Sequence, residues 1–157
     1  MYAVAGYSIG RTSVENKSKV LILCSGNSCR SQMAEAFFQH YASDEFVAFS
    51  AGLEPHPIHP MTIRVMNEIG IDISMKKSKS VREYLGKEVF AYVIFVCGEM
   101  ERQCPHLFPM SSWQSLSWPF PDPASVEGSE EEKLQAFRKV RDSIEHKIKS
   151  FLDEYRR

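Results

Sequence analysis

No stretch of this sequence approaches the ~20 consecutive apolar residues that cross a bilayer, so a spanning helix is excluded. The amino-terminal stretch, Met1 to Val20, carries Tyr2, Gly6, Gly10, Arg11 and Glu15 in place of a basic region followed by an apolar one. That speaks against an export signal and for a reducing, cytoplasmic setting. Charge of one sign is also missing. The net charge is -1, which excludes broad nucleic-acid binding but leaves room for a local anion site. Cysteine is scarce: Cys24, Cys29, Cys97 and Cys104 are the four present, and no two have the C-x2-C spacing of structural zinc sites. The five histidines show no ligand spacing with one another, and His56 and His59 read as residues of a proline-rich loop, so no metal is expected. In a reducing compartment, so few cysteines point to catalysis or redox exchange.

What is present is ordinary globular material: 157 residues, 43% apolar and 25% charged. A chain of this length buries roughly 70% of its unfolded surface without staples. Residues 1–17 are polar and aperiodic and read as a poorly ordered extension, and residues 18–157 read as a single domain without internal repeats. Val20-Leu21-Ile22-Leu23 is a continuous apolar run, as expected of a strand covered on both faces. After a glycine-containing loop, Met33, Ala34, Phe37, Phe38 and Tyr41 recur at helical spacing. Phe46 to Phe49 reads as a second strand closed by Gly52, Tyr92 to Val96 as a third, and Trp113 to Trp118 as a weaker one at the sheet edge. Pro60 suits the first turn of a helix that Gly70 terminates. Ser80 with Glu83, and Ser129 with Glu132, form capping-box patterns. The second opens a long helix with Phe137, Val140, Ile144, Ile148, Phe151, Leu152 and Tyr155 on one stripe. Strands alternating with helices predict a three-layer α/β/α sandwich on a four-stranded parallel sheet, flavodoxin-like, with ligands at the carboxyl ends of the strands.

Cys24-Ser25-Gly26-Asn27-Ser28-Cys29-Arg30-Ser31 lies between the first strand and the first helix. A loop wrapped at a helix N-terminus aims several backbone N–H groups into one concavity. Gly26 is expected to supply the positive φ of that wrap. Arg30 adds a planar fork for two oxygens of a tetrahedral oxyanion. Cys24, on the floor, is expected to ionise near neutral pH under the helix dipole and the arginine. It would then act as a nucleophile that needs no separate base.

The run from Cys24 through Arg30-Ser31-Gln32-Met33-Ala34-Glu35-Ala36 resembles the signature of the low-molecular-weight tyrosine phosphatase superfamily, and most of all its arsenate reductase branch. The resemblance extends over nearly everything from Val20 onward, including Ser50-Ala51-Gly52 and Gly70 to Ser74. Gln32 favours the reductases, since the phosphatases usually carry proline there. Cys97-Gly98-Glu99-Met100-Glu101-Arg102-Gln103-Cys104-Pro105 resembles the redox segment of thioredoxin-coupled reductases, and selects that branch.

The resemblance implies a chemistry. Cys24 attacks arsenate held by Ser25 to Ser31 and Arg30, and Asp122, in Pro121-Asp122-Pro123, protonates the leaving hydroxide. Cys97 then attacks Cys24, arsenite leaves, and Cys104 carries the disulfide outward as a redox-active Cys97–Cys104 pair for thioredoxin to reduce. Phosphate and sulfate compete as anions, no cofactor is bound, and a monomer is expected. Were residues 97 to 104 a regular helix, the two α-carbons would lie about 10.5 Å apart, beyond the ~7 Å that a disulfide tolerates. Oxidation should therefore unwind that segment, with Gly98 and Pro105 as hinges. Cys29 is assigned a supporting or protective role. Relatives brace the loop through positions matching Asn27 and Ser50. Some bind potassium there with Glu35 and an aspartate, whose position corresponds by count to Lys79, so that an ammonium stands in for the cation. Two rivals remain open. One is a phosphotyrosine phosphatase using Cys24, Arg30 and Asp122, which Ala124 and Ser125 disfavour because phosphatases usually carry tyrosines there. The other is a non-catalytic oxyanion-binding or redox-sensing protein.

Overall fold

The computed structural model describes residues 17–103 and 114–157. The predicted extension thus lies outside the described residues except for Lys17, as do Cys104, Pro105 and Trp113. Four strands form one sheet: β1 (Ser18–Cys24), β2 (Phe46–Gly52), β3 (Tyr92–Phe95) and β4 (Gln114–Ser117). They are all parallel, in the order β2-β1-β3-β4. Between and after them run α1 (Arg30–Ala42), α2 (Pro60–Glu68), α3 (Gly98–Gln103) and α4 (Glu130–Tyr155).

Val20, Leu21, Ile22 and Leu23 are each 0% exposed. Successive strand residues face opposite sides of a sheet, so both faces of β1 are covered by other layers. This is why that strand reads as an unbroken apolar run rather than an alternating one. The stripe of α4 is set into the core through Leu134, Phe137, Val140, Ile144, Ile148 and Leu152, while Tyr155 remains partly exposed at its end. Edge strand β4 buries the least, as its weak pattern foretold.

The helix ends show how local chemistry sets the boundaries. Ser129 accepts from the Glu132 amide at 3.1 Å, and its own hydroxyl meets the Glu132 carboxylate at 3.2 Å. Gly70, at φ +82°, follows the last turn of α2. The expected box at Ser80 takes a different form. A single 3-10 turn, Val81–Glu83, forms there, and Ser80 accepts from the Arg82 amide rather than from that of Glu83. In so short a turn the second amide is the one presented to the cap.

After β1 the chain crosses to β2 on one side, and it later returns to β3 on the other. The carboxyl ends of β1 and β3 therefore flank the switch point of the sheet, where open α/β sheets bind ligands. Leu23 pairs with Phe95, and the Val96 amide donates to the Leu23 carbonyl at 3.1 Å. Cys24 and Cys97 thus emerge side by side.

Candidate active site

Cys24 ends β1 and Cys97 lies just beyond the paired strand β3, near enough for each thiol to shift the ionisation of the other, and both are buried, free thiols. Cys24 lines a cavity of about 270 Å³, together with Ser28, Cys29, Arg30, His56 and Asp122. Around it the 24–31 segment wraps into the start of α1. The cap residue of that helix, Cys29, supplies no side-chain acceptor, and the first turn holds no acidic residue. Its amide donors are thus left for the loop and for an anion.

Arg30 is only 9% exposed. One terminal nitrogen donates to the Phe120 carbonyl at 2.9 Å, which fixes the guanidinium. Among the described residues its buried Nε–H has no partner. A buried unpaired donor costs about 1–3 kcal/mol, an arrangement suited to accepting an oxyanion oxygen. Asp122 reaches the same cavity from the proline turn. One of its carboxylate oxygens accepts from the Ala124 amide at 3.0 Å, which holds the side chain in place.

The residues that shape the loop do so through contacts the sequence pattern does not display. Positive φ falls on Asn27 (+51°) and not on Gly26. Asn27 tolerates it because its side chain is fully used: Nδ2 donates to Ser31 at 2.8 Å, and Oδ1 accepts from Gln32 at 3.0 Å and from the Lys79 amide at 2.8 Å. Gly26 serves another end, since a Cβ there would sit 3.0 Å from the His56 ring. Gly52 is the tighter constraint. A Cβ on it would lie 2.7 Å from the Ser25 carbonyl oxygen and 2.9 Å from the Asn27 amide nitrogen. A glycine at a strand end beside an anion loop is the signal that marks such a close approach.

The family described as low molecular weight phosphotyrosine protein phosphatase matches residues 19–157. The chain belongs to that family. It is 43% identical to the arsenate reductase of Shouchella clausii over 138 residues, which cover 88% of this chain and 97% of that protein. To the arsenate reductase of Bacillus subtilis it is 39% identical over 140 residues, covering 89% and 98%. Among solved structures, an arsenate reductase in the phosphate binding state superposes with a TM-score of 0.70 at 30% identity, covering 87% of this chain and 98% of that one. A low molecular weight protein tyrosine phosphatase from T. tengcongensis superposes with a TM-score of 0.72 at 25% identity, covering 88% and 99%.

In this member of the low molecular weight phosphatase family, the cysteine pair departs from the expected ionisation. The Cys24 thiol is pushed up, first by its hydrogen bond with Cys97 and then by burial, against the pull of Arg30. Cys97 is drawn down to about 5 by the same hydrogen bond, with help from the Met100 and Ser25 amides and from Arg30, against burial. The pair shares one proton, so its first ionisation is easy and its second is hard. Cys29 is pushed up by burial and is held by Thr62 and Ser28.

A strap formed by residues 76–80 locks the loop from outside. Ser78 donates to the Asn27 carbonyl at 3.0 Å and also to the His56 carbonyl. The Lys77 carbonyl accepts from Gln32 at 3.1 Å, and the Lys79 carbonyl from the Gly52 amide at 2.9 Å. Lys79 Nζ lies 3.4 Å from Glu35 and 3.5 Å from Ser50, and Lys76 pairs with the other Glu35 oxygen at 3.0 Å. Glu35, with a side chain 6% exposed, is thus charge-compensated by two lysines. Among the described residues, no group of three His, Cys, Asp or Glu is placed to hold a metal ion.

His59 is more than a loop residue. Its Nδ1 caps α2 by accepting from the Met61 amide at 3.1 Å, its backbone amide reaches the Ser28 carbonyl, and its ring packs on Phe137. Burial lowers its pKa despite Asp122 nearby. As pH falls through the unfolded value near 6.5, the unfolded chain takes up a proton before the native one, so stability declines. His59→Asn keeps a cap acceptor and removes this proton, and should flatten the loss of denaturation midpoint between about pH 7 and pH 5.

Proposed function

We propose that this protein reduces arsenate to arsenite through a covalent cysteine adduct and a disulfide cascade. The observation that carries the reading is a second buried thiol, Cys97 at the end of the paired strand β3, beside Cys24 of an arginine-bearing oxyanion loop. Hydrolysis of a phosphate ester requires one nucleophilic thiol. A two-electron reduction requires a second within reach, and the resemblance of the 97–105 segment to a redox segment favours the same branch.

The steps balance as follows. Arsenate is held by the loop amides and by Arg30, whose buried Nε–H awaits an acceptor. As arsenate binds, the shared proton passes from Cys24 to Cys97, and Cys24 attacks arsenic as a thiolate. Asp122 gives a proton to the departing hydroxide, which leaves as water. Cys97, eased toward thiolate by the Met100 and Ser25 amides, then gives its proton to an arsenic-bound oxygen and attacks Cys24 sulfur. The S–As bond breaks, arsenic keeps its electron pair, and arsenite departs. The resulting Cys24–Cys97 disulfide is passed to Cys104, which lies outside the described residues. Thioredoxin reduces the Cys97–Cys104 disulfide. Steady-state arsenate reduction with thioredoxin, its reductase and NADPH tests this reading. Arsenite formation is expected, and turnover of phosphate esters alone would replace the reading with a hydrolase.

Lys79 and Lys76 brace the loop through Glu35, so the loop carries its own cation. Arsenate turnover should therefore be insensitive to exchanging potassium for choline in the buffer. Lys79→Met leaves Glu35 with a single partner and should lower stability by about 1–2 kcal/mol, less than a fully buried pair because the lysine is partly solvated. Chemical denaturation checks it, and an unchanged midpoint would place Lys79 outside the brace.

A further inference from the structure

Four consecutive carbonyls of the anion loop are committed to donors from outside it. The Ser25 carbonyl accepts from the Glu54 amide at 3.0 Å, and that of Gly26 from the His56 amide at 2.9 Å. The Asn27 carbonyl accepts from the Ser78 hydroxyl at 3.0 Å. The Ser28 carbonyl takes two donors from the start of α2, the His59 amide at 3.1 Å and the Thr62 hydroxyl at 3.3 Å. Across a trans peptide the C=O and the following N–H point in opposite directions. Each carbonyl held from outside thus turns the next amide away from its holder.

Thr62 stands apart among these holders. It is 0% exposed, and a buried hydroxyl is costly unless it is bonded. A helical threonine usually returns its hydroxyl to a carbonyl one turn earlier, whereas this one crosses to a residue 34 positions back. The fold does not require the bond. The His59 amide already satisfies the Ser28 carbonyl, and a valine would fill the same space. What the second donor adds is orientation. One hydrogen bond lets a peptide plane rock about it, while two donors on the two lone pairs of one oxygen hold the plane still. The amide of that plane belongs to Cys29, the cap of α1, and both Ser28 and Cys29 line the cavity.

We propose that Thr62 is a positioning residue for the oxyanion: by pinning the Ser28–Cys29 peptide, it keeps the Cys29 amide aimed at the bound anion. The inference rests on the oxyanion loop of the reading above and on none of its reductive steps. A donor that serves substrate and transition state alike acts on KM rather than on kcat.

Thr62→Val, Thr62→Ala and Thr62→Ser in the full chain test it, with phosphate affinity read by calorimetry below the melting temperature of all four proteins. The valine and alanine variants differ in packing but share the loss of the hydroxyl, and both should weaken phosphate about tenfold. Serine should restore the parent Kd to within about threefold. In arsenate turnover, Thr62→Val should raise KM about tenfold and leave kcat within about twofold. A parent-like Kd without the hydroxyl, a Kd that follows the melting temperature instead, or a serine variant that restores nothing would overturn the proposal. A parent protein that binds no phosphate would sink the oxyanion loop and this inference together. If phosphate binding follows the hydroxyl but no arsenite forms, the reductase reading fails and the positioning role stands.

Discussion

Cys97→Ser is expected to abolish arsenate reduction, by at least about 10³-fold in kcat, while sparing hydrolysis of p-nitrophenyl phosphate. A serine hydroxyl can stand in the same place but cannot form the disulfide whose closure leaves the sulfur–arsenic electron pair on arsenic. The adduct on Cys24 therefore has no reductive exit. The variant should also change how Cys24 titrates. In the parent, the hydrogen bond with Cys97 is the largest cause holding the Cys24 thiol up. With that thiol gone, the pull of Arg30 and the loop amide acts on Cys24 as the first group to ionise. The pH profile of Cys24 alkylation should move to lower pH. Retained arsenite release would end the proposed mechanism, and an upward or unmoved profile would mean that the two sulfurs do not share a proton.

The second large effect is expected at a residue with no functional group. Gly52→Ala places a methyl 2.7 Å from the Ser25 carbonyl oxygen and 3.0 Å from the Gly26 carbonyl carbon. Both neighbours are backbone, and neither can rotate away. Either β2 retreats, breaking the Gly52 amide's bond to the Lys79 carbonyl, or the loop shifts by some tenths of an ångström. Overpacking of this kind costs about 1–3 kcal/mol. A misplaced cradle loses about 10²-fold in rate even when the fold survives. Circular dichroism and thermal melting report the first effect, and phosphate binding by calorimetry the second. A variant that binds phosphate as the parent does would show that the loop is not seated on Gly52.

Much of the fold was legible because burial leaves a plain imprint on composition. The unbroken apolar run at 20–23 and the stripe from Phe137 to Leu152 both landed where expected. The Cys24–Arg30 loop could be located because a cysteine, a glycine and an arginine between strand and helix are few residues with a specific joint use. What escaped depends on contacts between distant segments. Asn27 carries the positive φ because the 76–80 strap and Gln32 saturate its side chain, and spacing alone cannot reveal that strap. Gly52 reads locally as a strand end, and its purpose emerges only once the Ser25 backbone is laid against it. The mutual influence of Cys24 and Cys97 on ionisation escaped for the same reason: helix and arginine were visible in the sequence, but the effect of a thiol just beyond another strand was not.

The adjacency of β1 and β3 has one more consequence. The sulfurs at their ends are seventy-three positions apart along the chain, yet they arrive side by side once the sheet has formed. A 24–97 bridge would tether a long loop in the denatured chain while asking little of the native one. By polymer entropy that tether is worth on the order of 4 kcal/mol. The half-spent catalyst, caught between oxyanion release and re-reduction, should accordingly be the hardest form of the molecule to melt.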